Sequence, residues 1–378
     1  MIENPIRILQ INAGDRNFGG VSSFLYNVYT HVDHSKIQFD FLTPNNTTYH
    51  EHRDEIEKAG GRVYEFGLSG EGLSHKKKFA LLLKKFLIGK NYKIVQINSG
   101  TFFFNLIVSI AVKRAKVKNI IVHSHSVASD QASVTKRLLI YLLKPLFLFF
   151  ATDYFACSKS AGAFMFPRLA LRRLRIIYSG LDVEKFKFSS NNREIIRKEL
   201  NIQNSFVIGH IGRFVRVKNQ EYLIGLIKEL KSEYNDIKLI LVGEGELLDR
   251  IKAKVDEFGL NDDVIFTGLR KDVERLYSAF DCYLFPSYYE GLGMSLVEAQ
   301  ISGLNCVAST GVPRDTMISK NVNYIDLRDT NSWIKQIKSI RALNAERISH
   351  TEEAKAKGYD ILDIARNLQE IYIEKGRM

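Results

Sequence analysis

Cysteine is scarce in this sequence: only Cys157, Cys282 and Cys306 occur in 378 residues, each inside an apolar run and none in a CxxC pair. So odd and scattered a set excludes a disulfide framework and a thiolate zinc site, and fits reduced thiols in a cytosolic core. Long hydrophobic runs are lacking too. The longest, residues 138–150, is interrupted by Lys144 and Pro145 and is several residues short of the ~20 that span a bilayer, so no transmembrane helix is expected. The opening residues have no basic segment followed by a long apolar one, so they do not read as a signal peptide, and a cytoplasmic location is expected. Neither an internal repeat of short period nor a low-complexity tract is present.

What the chain does have is positive charge on one side. Residues 1–190 hold 27 Lys and Arg against 14 Asp and Glu, a net of +13, while the remainder is close to neutral at −1. That asymmetry points to a polyanionic partner for the first half, either anionic lipid or nucleic acid. No nucleic-acid motif and no aromatic residues interleaved on a basic face accompany the charge, so nucleic acid ranks last.

Short β-branched and aromatic runs alternate with helical patterns along the whole chain. The predicted strands are 6–12, 37–43, 62–66, 93–98, 119–124, 153–157 and 175–179, then 206–211, 237–242, 263–267, 281–285 and 304–308. Most are nearly continuous apolar runs, as strands buried on both faces of a parallel sheet read. Repeated βα units imply an α/β fold of two Rossmann-like, doubly wound domains facing a cleft. The polar stretch 189–205 is read as the linker. The expected division therefore falls between residues 188 and 189.

Candidate ligand-binding residues gather where these strands end, since ligands of open α/β sheets sit beyond the carboxyl ends of strands. Gly212 and Arg213 follow the strand 206–211, and Lys218 precedes a helix beginning near Asn219. A glycine there lets the backbone turn tightly, Arg213 offers a fork for phosphate oxygens, and Lys218 adds a point charge beside a helix start. The alternative is an ordinary βα loop with surface cations.

After the strand 281–285 the chain reads Pro286-Ser287-Tyr288-Tyr289-Glu290-Gly291-Leu292-Gly293-Met294-Ser295-Leu296-Val297-Glu298. Backbone N–H groups at Gly293 and Met294 suit phosphate, Glu298 suits two ribose hydroxyls, and Glu290 is left near a sugar. Taken singly, both glutamates read equally well as surface carboxylates. A glycosidase pair is disfavoured, because eight helical residues separate them by ~12 Å against the ~5–9.5 Å such pairs need. Gly243-Glu244-Gly245 is a weak GxG signal.

In the first half, Gly19 and Gly20 sit between the first strand and first helix, but GxGxxG is absent and no acidic residue ends the second strand, so nicotinamide binding is a poor reading. His123 and His125 end the strand 119–124. A structural or hydrogen-bonding role comes first, a sugar contact second, and a metal last, because no nearby Cys, Asp or Glu completes a ligand set.

Together Gly212-Arg213, Lys218, Gly243-Glu244-Gly245, Phe266-Thr267-Gly268, Pro286-Ser287, Glu290-Gly291, Glu298-Ala299 and Gly303, with Gly19-Gly20, His125 and Tyr178-Ser179-Gly180-Leu181-Asp182, closely resemble the retaining glycosyltransferases of family 4. Within that family the sequence looks most like bacterial capsular and exopolysaccharide transferases. The resemblance implies the GT-B fold, with an N-terminal acceptor-binding domain (1–188), a C-terminal donor-binding domain (189–356) and a last helix (357–378) crossing back to the first. It implies a hexosyltransferase that uses a nucleotide-sugar, most often a UDP-sugar, with retention of configuration and with neither metal nor other cofactor. Arg213 and Lys218 would meet the diphosphate, Glu298 the ribose and Glu290 the sugar. His125 would line the reaction centre, Gly20 would meet the phosphates, and backbone near Leu269 would hold the base. The sequence departs from the family at Asn219, where Gly usually follows the lysine.

Residues 75–88 read as a basic amphipathic helix, either a plain surface helix or an interfacial one. Residues 138–150 read first as a core helix and second as a guide for a lipid tail. With the resemblance, these features suggest a peripheral enzyme on an anionic membrane surface, with a lipid-diphosphate-linked saccharide as acceptor. The rival reading is a nucleotide-sugar 2-epimerase-like isomerase on the same fold.

Overall fold

The computed structural model describes residues 4–13, 19–46, 48–70, 72–125, 133–343 and 346–377. It divides into two compact units, Met1–Leu181 with Gly358–Met378, and Asp182–Lys357. The first holds β1 (Ile6–Asn12), β2 (Ile37–Thr43), β3 (Arg62–Glu65), β4 (Ile94–Ser99), β5 (Asn119–Ser124), β6 (Asp153–Ala156) and β7 (Leu174–Ile176). They form one parallel sheet ordered β3-β2-β1-β4-β5-β6-β7. The second unit holds β8 (Phe206–Ile211), β9 (Ile237–Val242), β10 (Val264–Gly268), β11 (Cys282–Phe285), β12 (Asn305–Ser309) and β13 (Val322–Ile325), ordered β10-β9-β8-β11-β12-β13. Both are doubly wound sheets of the expected class. The strand order reverses beside β1 in one and β8 in the other, which is where such sheets open a ligand crevice.

The continuous apolar runs are explained by burial on both faces. Along β5, Ile120 and Val122 enter one hydrophobic cluster while Ile121 enters the opposite one. Along β9, Leu239 and Leu241 face one core and Ile240 and Val242 the other. Alternate residues of one strand thus serve two helical layers, and no polar face remains to interrupt the run.

The helix Ile361–Arg377 completes the first unit, packing Ile361, Ile364, Leu368, Ile371 and Tyr372 with Ile8, Phe39 and Ile94. Beneath it lies a closed polar group. The Tyr372 hydroxyl donates to Gln96 Oε1 at 2.7 Å, Gln96 Nε2 donates to Asn98 Oδ1 at 2.9 Å, Asn98 Nδ2 donates to Gln10 Oε1 at 3.0 Å, and Gln10 Nε2 donates to the Tyr372 oxygen at 3.3 Å. All four side chains are buried, and their mutual satisfaction makes that burial tolerable. The outgoing and returning chains also join, since Leu181 N–H donates to the Tyr359 carbonyl and Ile361 N–H to the Leu181 carbonyl, both at 2.9 Å.

Three expectations change. The polar stretch read as a linker contains the helix Ser190–Glu199, capped by the Ser189 hydroxyl, and the division between units falls earlier, at Leu181. Its polar residues serve structure: Arg193 and Arg197 both reach the Asp281 carboxylate at 2.5 Å, and Arg197 also holds the Gln203 and Ser205 carbonyls. Residues 138–150 do not form a core helix. They divide among the helix Val134–Leu143, a turn Lys144–Leu146 at Pro145, and the short helix Phe147–Phe150. Of these residues only Ile140 and Phe147 are buried. Finally, β13 is an edge strand of four residues, too short and polar to stand out in the sequence.

Candidate functional site

The strongest constellation lies at the carboxyl ends of β8 and β11, adjacent strands at the reversal point of the second sheet. Beyond β8 the chain turns through Gly212. There Gly243 crosses so closely that a Cβ on it would stand 2.3 Å from the Gly212 carbonyl oxygen, and one on Gly245 would stand 2.5 Å from the Phe214 carbonyl. Both glycines have positive φ, +134° and +156°. The GxG that was a weak signal in the sequence is therefore a requirement of backbone packing, which fixes the loop carrying Arg213.

Arg213 is exposed, and its guanidinium pairs with no carboxylate among the described residues. Lys218 ends a 3-10 turn and donates to Glu290 Oε1 at 2.7 Å, with its ammonium 5.1 Å above the centre of the Phe285 ring. The pair is mostly shielded, with side chains 18% and 12% exposed, so the charges hold each other firmly in an environment less screened than water. Asn219 explains its own departure from the family pattern. It adopts the left-handed conformation, φ 54° and ψ 41°, and its amide donates to the Pro286 carbonyl at 3.3 Å. Asparagine is among the few non-glycine residues that enter this region readily.

From β11 the segment 286–293 is tied down on both sides. Tyr288 N–H donates to the Val217 carbonyl at 2.9 Å, and the Ser309 hydroxyl donates to the Ser287 carbonyl. Gly293 then turns with φ +95° and caps the helix Met294–Ile301. No side chain caps that helix start, and Leu296 N–H already donates to the Gly293 carbonyl, so the backbone N–H groups of Met294 and Ser295 are the ones available to an anion. Glu298 lies on this helix, largely buried, and accepts from the Tyr277 hydroxyl at 2.7 Å. Burial pushes its carboxyl up to about 7, with Tyr277 and the Lys218 charge opposing the rise.

Thus Arg213, Lys218, Glu290, Gly293, Met294 and Glu298 gather around the ends of two neighbouring strands. Leu269 follows β10 and is 71% exposed. Tyr277, which holds Glu298, and Phe285, beneath Lys218, carry no local sequence signal and emerge only in three dimensions. His210 joins them: its Nδ1 is 2.9 Å from the Leu284 carbonyl, and its buried Nε2, without a hydrogen-bond partner, faces the Gly212–Lys218 turn.

In the first unit, Gly19 caps the helix Gly20–His31 without a side-chain bond, and open space surrounds Gly20 where a Cβ would stand. The loop before it, residues 14–18, lies outside the described residues. His125 follows β5, its ring 3.9 Å from that of His123 and 5.7 Å from Phe24. Its Nε2 is buried without a hydrogen-bond partner, and burial lowers its pKa to about 3, leaving a neutral imidazole at ordinary pH. Among the described residues no group of three or more His, Cys, Asp or Glu side chains is arranged to hold a metal ion.

This architecture is shared with solved structures. Crystal structures of Anabaena Alr3699/HepE, one of them in complex with UDP-glucose, superpose with a TM-score of 0.76 over 97% of this chain and 98% of that one, at 19% identity. Two doubly wound sheets of this kind make up the GT-B fold.

The family model described as "Glycosyl transferases group 1" matches residues 192–357. The putative glycosyltransferase EpsF of Bacillus subtilis (strain 168) is 30% identical over 373 residues, covering 97% of this chain and 96% of that protein. An Escherichia coli UDP-Gal:alpha-D-GlcNAc-diphosphoundecaprenol alpha-1,3-galactosyltransferase is 24% identical over 309 residues, 79% of each chain. The capsular polysaccharide biosynthesis glycosyltransferase CapH of Staphylococcus aureus is 26% identical over 332 residues, 85% of this chain and 86% of that one. The chain belongs to the glycosyl transferases group 1 family and is an enzyme, a glycosyltransferase of the hexosyltransferase type.

Proposed function

We propose that this enzyme transfers a hexose from a UDP-sugar to a lipid-diphosphate-linked saccharide during assembly of a bacterial polysaccharide, with retention of anomeric configuration and without a metal. In this reading the second unit binds the donor and the first the acceptor. The observation that carries it is the convergence of Arg213, Lys218, Glu290 and the uncapped start of the helix Met294–Ile301 at the β8–β11 edge. Nucleoside diphosphate departs with growing negative charge, and two cations with fixed backbone dipoles are suited to receive it. Lys218 exchanges its bond to Glu290 for the diphosphate, and the freed Glu290 carboxylate accepts from hydroxyls of the donor sugar. Glu298, oriented by Tyr277, accepts from the ribose, while Leu269 and its neighbours flank the base. Gly19 and Gly20 serve the donor's phosphates, and neutral His125 lines the reaction centre.

The donor assignment is supported by the UDP-glucose complex of the Anabaena protein, and the acceptor by the E. coli relative, whose name specifies a diphosphoundecaprenol substrate. The anionic acceptor and the excess positive charge of the first half are opposite in sign and attract, which favours a peripheral location on an anionic membrane. No helix among the described residues is long and apolar enough to cross one.

The test is nucleoside-diphosphate release from UDP-, GDP- and ADP-sugars in chelator, with a lipid extract as acceptor source. Release from a UDP-sugar alone, stimulated by lipid and reduced roughly a hundredfold or more in Glu290→Ala, is expected, the size of loss seen when a group stabilising a transition state is removed. Equal release with and without lipid would refute the acceptor assignment. Interconversion of the sugar without transfer would establish the epimerase-type isomerase instead.

A further inference from the structure

The apolar stretch at residues 134–149 is exposed when its composition says it should be buried. Val134 is 82% exposed, Leu138 58%, Tyr141 72%, Leu142 63% and Phe149 69%. Val134, Leu138, Tyr141 and Leu142 recur at i, i+4, i+7 and i+8, forming one stripe along the helix Val134–Leu143. Phe149, on the short helix Phe147–Phe150, extends the apolar surface beyond Pro145. A single exposed leucine needs no explanation, but a contiguous surface of this kind marks a place where something docks.

The surrounding charge identifies the partner. Between residues 133 and 175 there are eight Lys and Arg and one acid, Asp153, and Asp153 is already neutralised by Lys375 at 2.8 Å. Lys136 and Arg137 flank the apolar stripe on the same helix and are exposed. Lys144 ties the turn to the helix Lys159–Met165 through the Ala163 carbonyl at 2.7 Å, and the residues after that helix add exposed Arg168 beside Leu169, itself 59% exposed. A protein partner of ordinary interface would meet a polar rim of mixed sign. Aliphatic side chains with aromatic Tyr141 and Phe149, accompanied among the described residues of this stretch by cations and one already paired acid, fit the boundary of an anionic bilayer, where rings sit at headgroup level and lysines meet phosphate.

The basic helix Gly72–Leu87, the other candidate in the sequence, is not equivalent. Phe79, Ala80, Leu83 and Leu87 are consumed by the core, leaving only Leu73 and Leu81, 53% and 57% exposed, among its lysines, and no exposed aromatic residue.

We propose that the face formed by the helices Val134–Leu143 and Phe147–Phe150 inserts into the headgroup region of an anionic membrane and docks the enzyme there. This rests on the lipid-linked acceptor assigned above, and it names the surface that meets the lipid.

The test is flotation of the full chain with phosphatidylglycerol–phosphatidylcholine vesicles and with pure phosphatidylcholine vesicles. Wild type should float with the anionic vesicles only. The triple variant Leu138→Ser, Leu142→Ser, Phe149→Ser and the pair Lys136→Glu, Arg137→Glu should each lower partitioning roughly tenfold or more, with unchanged circular dichroism and unchanged UDP-glucose binding. Wild-type partitioning in the triple variant would overturn the proposal. So would failure of wild type to bind vesicles combined with a sedimenting dimer that the triple variant dissolves, which would make this face a contact between copies. Turnover of a short-chain, water-soluble diphosphate-linked acceptor separates the two readings. Its absence in wild type that still floats refutes the acceptor assignment while supporting the docking face.

Discussion

Replacing Glu298 by Gln should stabilise the free enzyme at alkaline pH and leave it almost unchanged at pH 5. The reason is the burial that lifts this carboxyl from 4.5 to about 7. A carboxyl held protonated by the folded state contributes most to stability below its unfolded pKa, and the contribution is lost as pH rises through the folded value. The window is therefore about pH 4.5 to 7. Across it the loss amounts to roughly 3 kcal/mol, at about 1.4 kcal/mol per pH unit. Glutamine keeps an oxygen for the Tyr277 hydroxyl and does not titrate, so its advantage over glutamate grows across the window and is constant above it. For a unit of this size about 3 kcal/mol corresponds to roughly 6–12 °C in melting temperature. Differential scanning calorimetry of wild type and variant at pH 5 and pH 8, without ligand, measures the double difference. Other titrating groups cancel in that comparison. A difference in melting temperature that is the same at both pH values would refute the argument, because it would mean that Glu298 is ionised in the folded state throughout.

The same carboxyl makes donor affinity depend on pH. If ribose hydroxyls donate to ionised Glu298, UDP-glucose binding measured by calorimetry should release protons and strengthen as pH rises from 6 to 8 in wild type, with no such trend in Glu298→Gln. At the β8 turn, Gly243→Ala forces a Cβ to 2.3 Å from the Gly212 carbonyl at φ +134°. A loss of about 3 kcal/mol or more in urea unfolding is expected. At Asn219, Gly should be tolerated within about 1 kcal/mol, whereas Val should cost about 1–2 kcal/mol because a β-branched residue resists the left-handed region.

Much of this architecture is legible in the sequence because burial on both faces leaves an uninterrupted mark. β1, β2, β5, β8 and β9 begin and end where the apolar runs do. What is not legible depends on partners distant in sequence. The helix Ser190–Glu199 reads as linker because its arginines are polar, and only the fold reveals that Asp281 and backbone carbonyls satisfy them. Residues 138–150 read as core because composition records hydrophobicity but not whether anything covers it. At the candidate site, the spacing of Gly212, Lys218, Glu290 and Glu298 identifies the segments, while the bond between Lys218 and Glu290 and the support from Tyr277 require β8 and β11 to be neighbours. Asn219 looked like a departure from the family pattern, yet it takes the left-handed conformation that glycine would allow.

The closing helix has a consequence for synthesis. Because Tyr372 completes the hydrogen bonds of Gln10 and Gln96, the first unit remains unfinished on the ribosome until Tyr372 has been made and released from the exit tunnel. The second unit, continuous from Asp182 to Lys357, is free to close beforehand. A nascent chain stopped before Gly358 would thus carry a finished second unit and a first one with an uncovered apolar face, the species that chaperones must shelter and that a truncation there would make permanent.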